Sequence, residues 1–122
     1  MTINRNIDDF TASYIECALW SSVDAEGDPL NEYHDIDGIA EPCFARMCAD
    51  CAKFQTENRL MLAMSGLDAG QQGHDFWLTR NHHGAGFWDR KLGQIGDILT
   101  AAAHSFGECG LYIGDDWKIH CE

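Results

Sequence analysis

The sequence predicts an α+β fold, in which about three helices pack against a small antiparallel sheet made of two β-hairpins, in the order α-α-β-β-α-β-β. Three observations lead there. Apolar residues recur at helical spacing in three stretches. Two other stretches join strand-forming residues through turn formers. The chain has 122 residues, 45% of them hydrophobic, which fits one domain over 1–122 with a core that needs no staples.

Residues 8–22 read as the first helix. Asp8 or Asp9 supplies the cap, and Phe10, Tyr14, Cys17, Ala18 and Leu19 form one apolar stripe. Ser21-Ser22 and then Gly27-Asp28-Pro29 end it. An acidic connector follows over 24–41, with Asp24, Glu26, Asp28, Glu32, Asp35, Asp37 and Glu41 and no Lys or Arg. Leu30, Tyr33, Ile36 and Ile39 recur every three residues there, so the connector is expected to pack on the core.

Pro42 suits the first turn of a second helix, with Glu41 near its positive end. Phe44, Met47, Cys48, Cys51 and Phe54 or Gln55 mark its buried face. It is expected to run to about Met64, with Gly66 as its stop. Asp68 to Gln72 add a short helical turn. His74 to Arg80 and Gly86 to Asp89 then read as two strands, joined by the turn-rich loop Asn81-His82-His83-Gly84-Ala85. Leu92, Ile95, Leu99, Ala102, Ala103 and Phe106 give a third helix, stopped by Gly107. Leu111-Tyr112-Ile113 and Trp117-Lys118-Ile119-His120 form a second hairpin around Gly114-Asp115-Asp116.

The run from His74 through Asp75-Phe76-Trp77-Leu78-Thr79-Arg80 to Gly86-Phe87-Trp88-Asp89-Arg90 resembles a motif of small hypothetical proteins of bacteriophages and plasmids. Glu16-Cys17-Ala18-Leu19-Trp20 and Leu111-Tyr112-Ile113-Gly114-Asp115-Asp116 resemble flanking parts of the same family, so the likeness spans nearly the whole chain. It implies a mobile-element origin and no particular chemistry. The family pattern has glycine where His82 or His83 stands here, and Cys43 and Cys48 are peculiar to this sequence.

The net charge is −12, from 20 acids against 8 bases. Nucleic acid and anionic membrane both need Lys and Arg, so neither is expected as a direct ligand. A basic host protein or nucleoprotein complex is. No apolar run approaches the ~20 residues that span a bilayer, and the opening Met1 to Asp9 lacks the apolar stretch of a signal peptide. The protein is therefore expected to stay in the cytoplasm of a bacterial host. The six cysteines, Cys17, Cys43, Cys48, Cys51, Cys109 and Cys121, are expected to be thiols or metal ligands and not disulfides.

Four constellations of residues bear on chemistry. Cys43, Cys48 and Cys51, with His34 or His104, offer zinc-ligand types. All three cysteines fall on one predicted helix, however, and Cys43 and Cys48 point to different faces, so core packing is the better reading. His74, Asp75, Arg80, His82, His83, Asp89 and Arg90 would supply acid–base groups if they converged. Alternation along a strand opposes convergence, and Arg80 or Arg90 is expected to pair with Asp75 or Asp89. No catalytic residue, metal ligand or cofactor is assigned. Trp20 and Trp77 are expected in the core, and Trp117 exposed in the last turn. Carboxylates on a folded surface can imitate duplex phosphates.

The expected function is therefore non-enzymatic: binding and inhibition of a host nucleic-acid-targeting defence complex of the anti-CRISPR or anti-restriction kind. The contact would run through Asp24, Glu26, Asp28, Glu32, Asp35, Asp37, Glu41, Asp115, Asp116 and Trp117. The alternatives are a metal-binding or acid–base enzyme centred on the histidine-rich hairpin and a self-associating structural module. Monomer and homodimer both remain open.

Overall fold

The computed structural model describes residues 6–122. Met1 to Arg5, which belong to the stretch read for a signal sequence, lie outside the described residues. Five α-helices and one two-stranded sheet are present among the described residues. The chain is thus mostly helical with a small hairpin, and the predicted α+β sheet of two hairpins is overturned.

Helix α1 covers Asp9–Ser21, and Asp8 caps it by accepting a hydrogen bond from the Thr11 amide at 2.9 Å. The expected stripe of Phe10, Tyr14, Cys17, Ala18 and Leu19 is buried. Two short 3₁₀ turns, Leu30–Glu32 and Ile36–Gly38, then carry the acidic connector. Leu30 and Ile39 are buried, but Tyr33 faces out.

Helix α2 covers Glu41–Glu57, with Pro42 in its first turn. Its fully buried face is Cys43, Met47, Cys51 and Phe54, one step round from the predicted one. Asn58 ends it by turning both its backbone and side-chain amides onto the Phe54 carbonyl oxygen. The single helix expected to run to about Met64 is therefore two, with α3 over Arg59–Ser65. Gly66 then stops α3 in the left-handed region, at φ 75°.

Helix α4, Ala69–Arg80, replaces the first predicted hairpin. Asp68 caps it by accepting from the Gln71 amide at 2.8 Å, so the short turn expected at 68–72 is its beginning. Residues 75–80 are all buried, and a helix buried all round shows no helical period in its apolar residues. Its aromatics made the segment look like a strand. Gly73 lets α4 lie against α1: a Cβ there would overlap the carbonyl oxygen of Phe10. The second predicted strand is a 3₁₀ turn, Phe87–Asp89. It is fixed by the Phe87 amide donating to Thr79 Oγ1 and by Arg90 reaching back to Asp75.

Helix α5 covers Gln94–His104, and the last hairpin pairs β1, Leu111–Ile113, with β2, Ile119–Cys121. The core holds an aromatic cluster: Phe54 and Phe76 stack at 4.1 Å, and Phe10, Tyr14, Phe87 and the partly buried Phe106 pack around them. Arg80 enters this core. Its guanidinium donates to Asp50 Oδ2 at 2.8 Å, to the Tyr14 hydroxyl at 2.9 Å and to the carbonyls of Phe106 and Gly107.

The hairpin is anchored on the start of α2. The Ala40 amide donates to the Ile119 carbonyl at 2.8 Å, and Ile39 forms a parallel bridge with Ile119. Cys43 and Cys121 are joined as a disulfide, with Cα atoms 5.2 Å apart. That corrects the expectation that all six cysteines are thiols or metal ligands. The anchoring of β2 brings the hairpin turn next to the acidic connector.

Candidate protein-binding face

The connector's carboxylates build its turns. Asp24 Oδ1 accepts from the amides of Glu26 and Asp28 at 2.9 and 3.0 Å, folding 24–28 into a tight loop. Asp35 Oδ1 accepts from the Asp37 amide at 3.0 Å and opens the second 3₁₀ turn. In the hairpin, Asp116 Oδ1 accepts from the Lys118 amide and from His120 Nε2, each at 3.0 Å. His120, and then the Lys118 amide, hold the Asp116 carboxyl below its ordinary value.

The hairpin loop is Asp115-Asp116-Trp117, closed by Gly114 and Lys118. A three-residue loop of this kind ends on a left-handed residue, a place glycine usually fills. Here it is Trp117, at φ 64° and 64% exposed. A bulky side chain in that region is an outlier, and such outliers concentrate at functional positions.

His34 ties the two acidic segments together. Its Nε2 lies 2.9 Å from the Trp117 carbonyl oxygen, so this nitrogen carries the proton, and the two rings are 5.0 Å apart. Between them opens a cleft of about 590 Å³, lined by Glu32, Tyr33, Asp35, Asp37, Asp116, Trp117 and Lys118 among others. Trp117 also lines a groove of about 380 Å³, together with residues 23–26 and 111–113. The negative charge of Glu32, and then of Asp28, pushes the exposed Tyr33 phenol above its ordinary value.

Of the predicted site residues, Glu32, Asp35, Asp37, Asp116 and Trp117 meet in the cleft, and Asp24 and Glu26 join Trp117 in the groove. Asp28, Glu41 and Asp115 line neither: Asp28 closes its loop, Glu41 opens α2 and Asp115 sits at the exposed turn. Tyr33, His34 and Tyr112 belong to the face and were not singled out from the sequence for binding. Tyr33 and His34 stand between acids in the connector, but the spacing of Tyr33 pointed to burial.

In the histidine-rich segment only His74 and Arg90 meet at Asp75, and Arg80 and His82 lie against other partners. Asp75 is fully buried and saturated, accepting from Arg90 Nε and Nη2 at 3.0 Å and from Gln71 Nε2 at 2.8 Å. His74 lies 3.3 Å from it on α4, while His82 packs on His104 at 4.3 Å. Arg80 pairs with Asp50 and not with Asp75 or Asp89, and of the expected pairings only Arg90 with Asp75 is made. Burial, and then the Asp75 charge, push the Cys17 thiol beside His74 up to about 12, which keeps it protonated. No three His, Cys, Asp or Glu side chains come together as a metal-binding set among the described residues. Trp77 is buried, but Trp20 is half exposed and stacks on His74.

No protein-family model, no curated protein and no solved structure matches this chain. No helix among the described residues is long and apolar enough to cross a membrane.

Proposed function

We propose that this is a non-enzymatic binding protein whose acidic, aromatic face occupies a basic surface of a host protein. Trp117 carries the proposal. It is held in a left-handed conformation that favours glycine, is exposed, and lines two clefts that carboxylates also line. Exposed tryptophans dominate the energetics of protein interfaces, and carboxylates around one select a Lys- and Arg-rich partner.

The likeness of segment 74–90 to phage and plasmid proteins supports a more specific target: a nucleic-acid-targeting defence complex of the CRISPR or restriction kind in a bacterial cytoplasm. Its groove for nucleic acid is basic, and the face would take the place of phosphates there. The test is capture from a bacterial lysate that contains such complexes, using the tagged protein as bait. A nucleic-acid-binding complex retained at low salt and released at high salt supports the proposal. Capture that resists high salt removes the electrostatic mechanism, and no capture removes the target class.

A further inference from the structure

We infer that the outer edge of β1 takes up an extended, Lys- or Arg-bearing segment of the partner as an added strand. This rests on the proposal that the face binds a basic protein, and it names how.

The hairpin register decides which backbone groups are spoken for. Leu111 stands opposite Cys121, Tyr112 opposite His120 and Ile113 opposite Ile119. The Gly114 amide donates to the Lys118 carbonyl, and the Glu122 amide to the Gly110 carbonyl. Hydrogen-bonded and non-bonded pairs alternate in an antiparallel ladder. Tyr112 and His120 are therefore the bonded pair, and Leu111 and Ile113 turn their amides and carbonyls away from β2.

The two edges of the sheet then differ. The outward carbonyl of Ile119 on β2 is taken by the Ala40 amide. The backbone groups of Leu111 and Ile113 make no hydrogen bond among the described residues. Both residues line the groove of about 380 Å³, together with Val23, Asp24, Ala25, Glu26 and Trp117. An unpaired edge is a template for another strand, and β-strand addition uses such an edge for affinity and its side-chain pockets for selectivity.

The occupant follows from the lining. Val23, Ala25 and Trp117 suit apolar side chains. Asp24 and Glu26, with Asp116 beyond Trp117, suit cations. Successive residues of a strand point to opposite sides, so a segment alternating apolar and basic residues meets both.

The probe is the peptide Ac-(Lys-Val)5-NH2, added at low salt to the ¹⁵N-labelled full chain. The expected result is slowed hydrogen exchange at the Leu111 and Ile113 amides. Ile113→Pro removes one outward donor and no hairpin hydrogen bond, since proline is tolerated on an edge whose N–H points away. It should weaken peptide binding about tenfold, the worth of about one hydrogen bond, while Ile113→Val leaves it unchanged. The exchange measurement decides the matter if the proline variant does not fold. Salt-sensitive binding with unaltered exchange at both amides overturns the added strand and leaves the acidic face standing. No binding also overturns the added strand, and lysate capture then judges the face separately. Protection that grows with protein concentration and without peptide means that a second copy occupies the edge, which overturns the proposed partner.

Discussion

His34 Nε2 lies 2.9 Å from the carbonyl oxygen of Trp117, 83 positions along the chain, and this bond joins the acidic connector to the hairpin turn. It adds to the Ala40–Ile119 hydrogen bond and the Ile39–Ile119 bridge, which already bring residues 115–117 next to 24–41. Trp117 lines two clefts there, each lined by carboxylates as well. The bond holds the backbone of a residue that is itself in an unfavoured conformation, so stability and binding are expected to oppose each other at this position.

Trp117→Gly therefore should stabilise the protein while weakening it as a binder. Glycine takes the left-handed conformation without the steric penalty of about 1–2 kcal/mol. Thermal or denaturant unfolding should show a gain of about 1 kcal/mol, partly offset by lost contact with His34. Capture of the partner should fall at the same time. A variant that is less stable and binds normally would show that Trp117 is there for packing.

Acid titration reports the hairpin turn. Asp116 has a folded-state pKa below its ordinary value, so its contribution to stability is complete above the ordinary carboxylate range. That contribution is lost as the pH falls through the depressed folded value. His120→Ala should move the Asp116 midpoint, followed by NMR, back up towards its ordinary value. The Lys118 amide keeps part of the depression. An unmoved midpoint would deny the His120 contact.

The buried cation gives a large effect on stability. Arg80 is 1% exposed and Asp50 is its only carboxylate partner among the described residues. Asp50→Ala strands the guanidinium in an aromatic core and should cost about 3 kcal/mol or more, measured by denaturant unfolding. A loss under ~0.5 kcal/mol, the size of a surface change, would mean that Tyr14 and the two carbonyls satisfy Arg80 alone.

Cysteine reactivity separates the disulfide from the thiols. Cys17, Cys48, Cys51 and Cys109 form no disulfide, and all but Cys48 are buried. Burial raises the thiols of Cys17, Cys51 and Cys109. In the oxidised protein, alkylation under native conditions should label Cys48 first, and denaturation without reductant should expose four thiols of the six cysteines. Six thiols before reduction would show Cys43 and Cys121 unlinked. Closing a loop of 78 residues, the bond should stabilise the fold by about 4 kcal/mol in the chain-entropy picture. The double variant Cys43→Ser/Cys121→Ser measures that.

Much of the helical part is legible in the sequence. Helices α1, α2 and α5 each have a periodic apolar face, and Asp8, Pro42 and Gly107 mark their ends or neighbours. The last hairpin is legible from its turn residues. Helix α4 is not, because burial on every side of residues 75–80 removes the period and leaves a run of aromatics that resembles a strand. Only the Asp68 cap betrays it. The break at Asn58 is also hidden, since asparagine alternates between helix and cap. As for the face, the acids are plain in composition, but their meeting with Trp117 depends on the bridge between Ile39 and Ile119. The exposure of Tyr33, placed among residues spaced for burial, is a property of the 3₁₀ turns and not of the spacing.

The most direct measurement compares two triple variants as bait in the same lysate. Glu32→Gln/Asp35→Asn/Asp37→Asn removes three charges from the cleft and keeps the amide-accepting oxygen at position 35. Glu57→Gln/Asp97→Asn/Glu108→Gln removes three charges from exposed positions outside it. Binding through the acidic face predicts that the first loses the partner at a salt concentration where wild type and the second retain it. Equal retention by both variants would contradict the face as the binding surface, and equal loss would reduce its role to net charge.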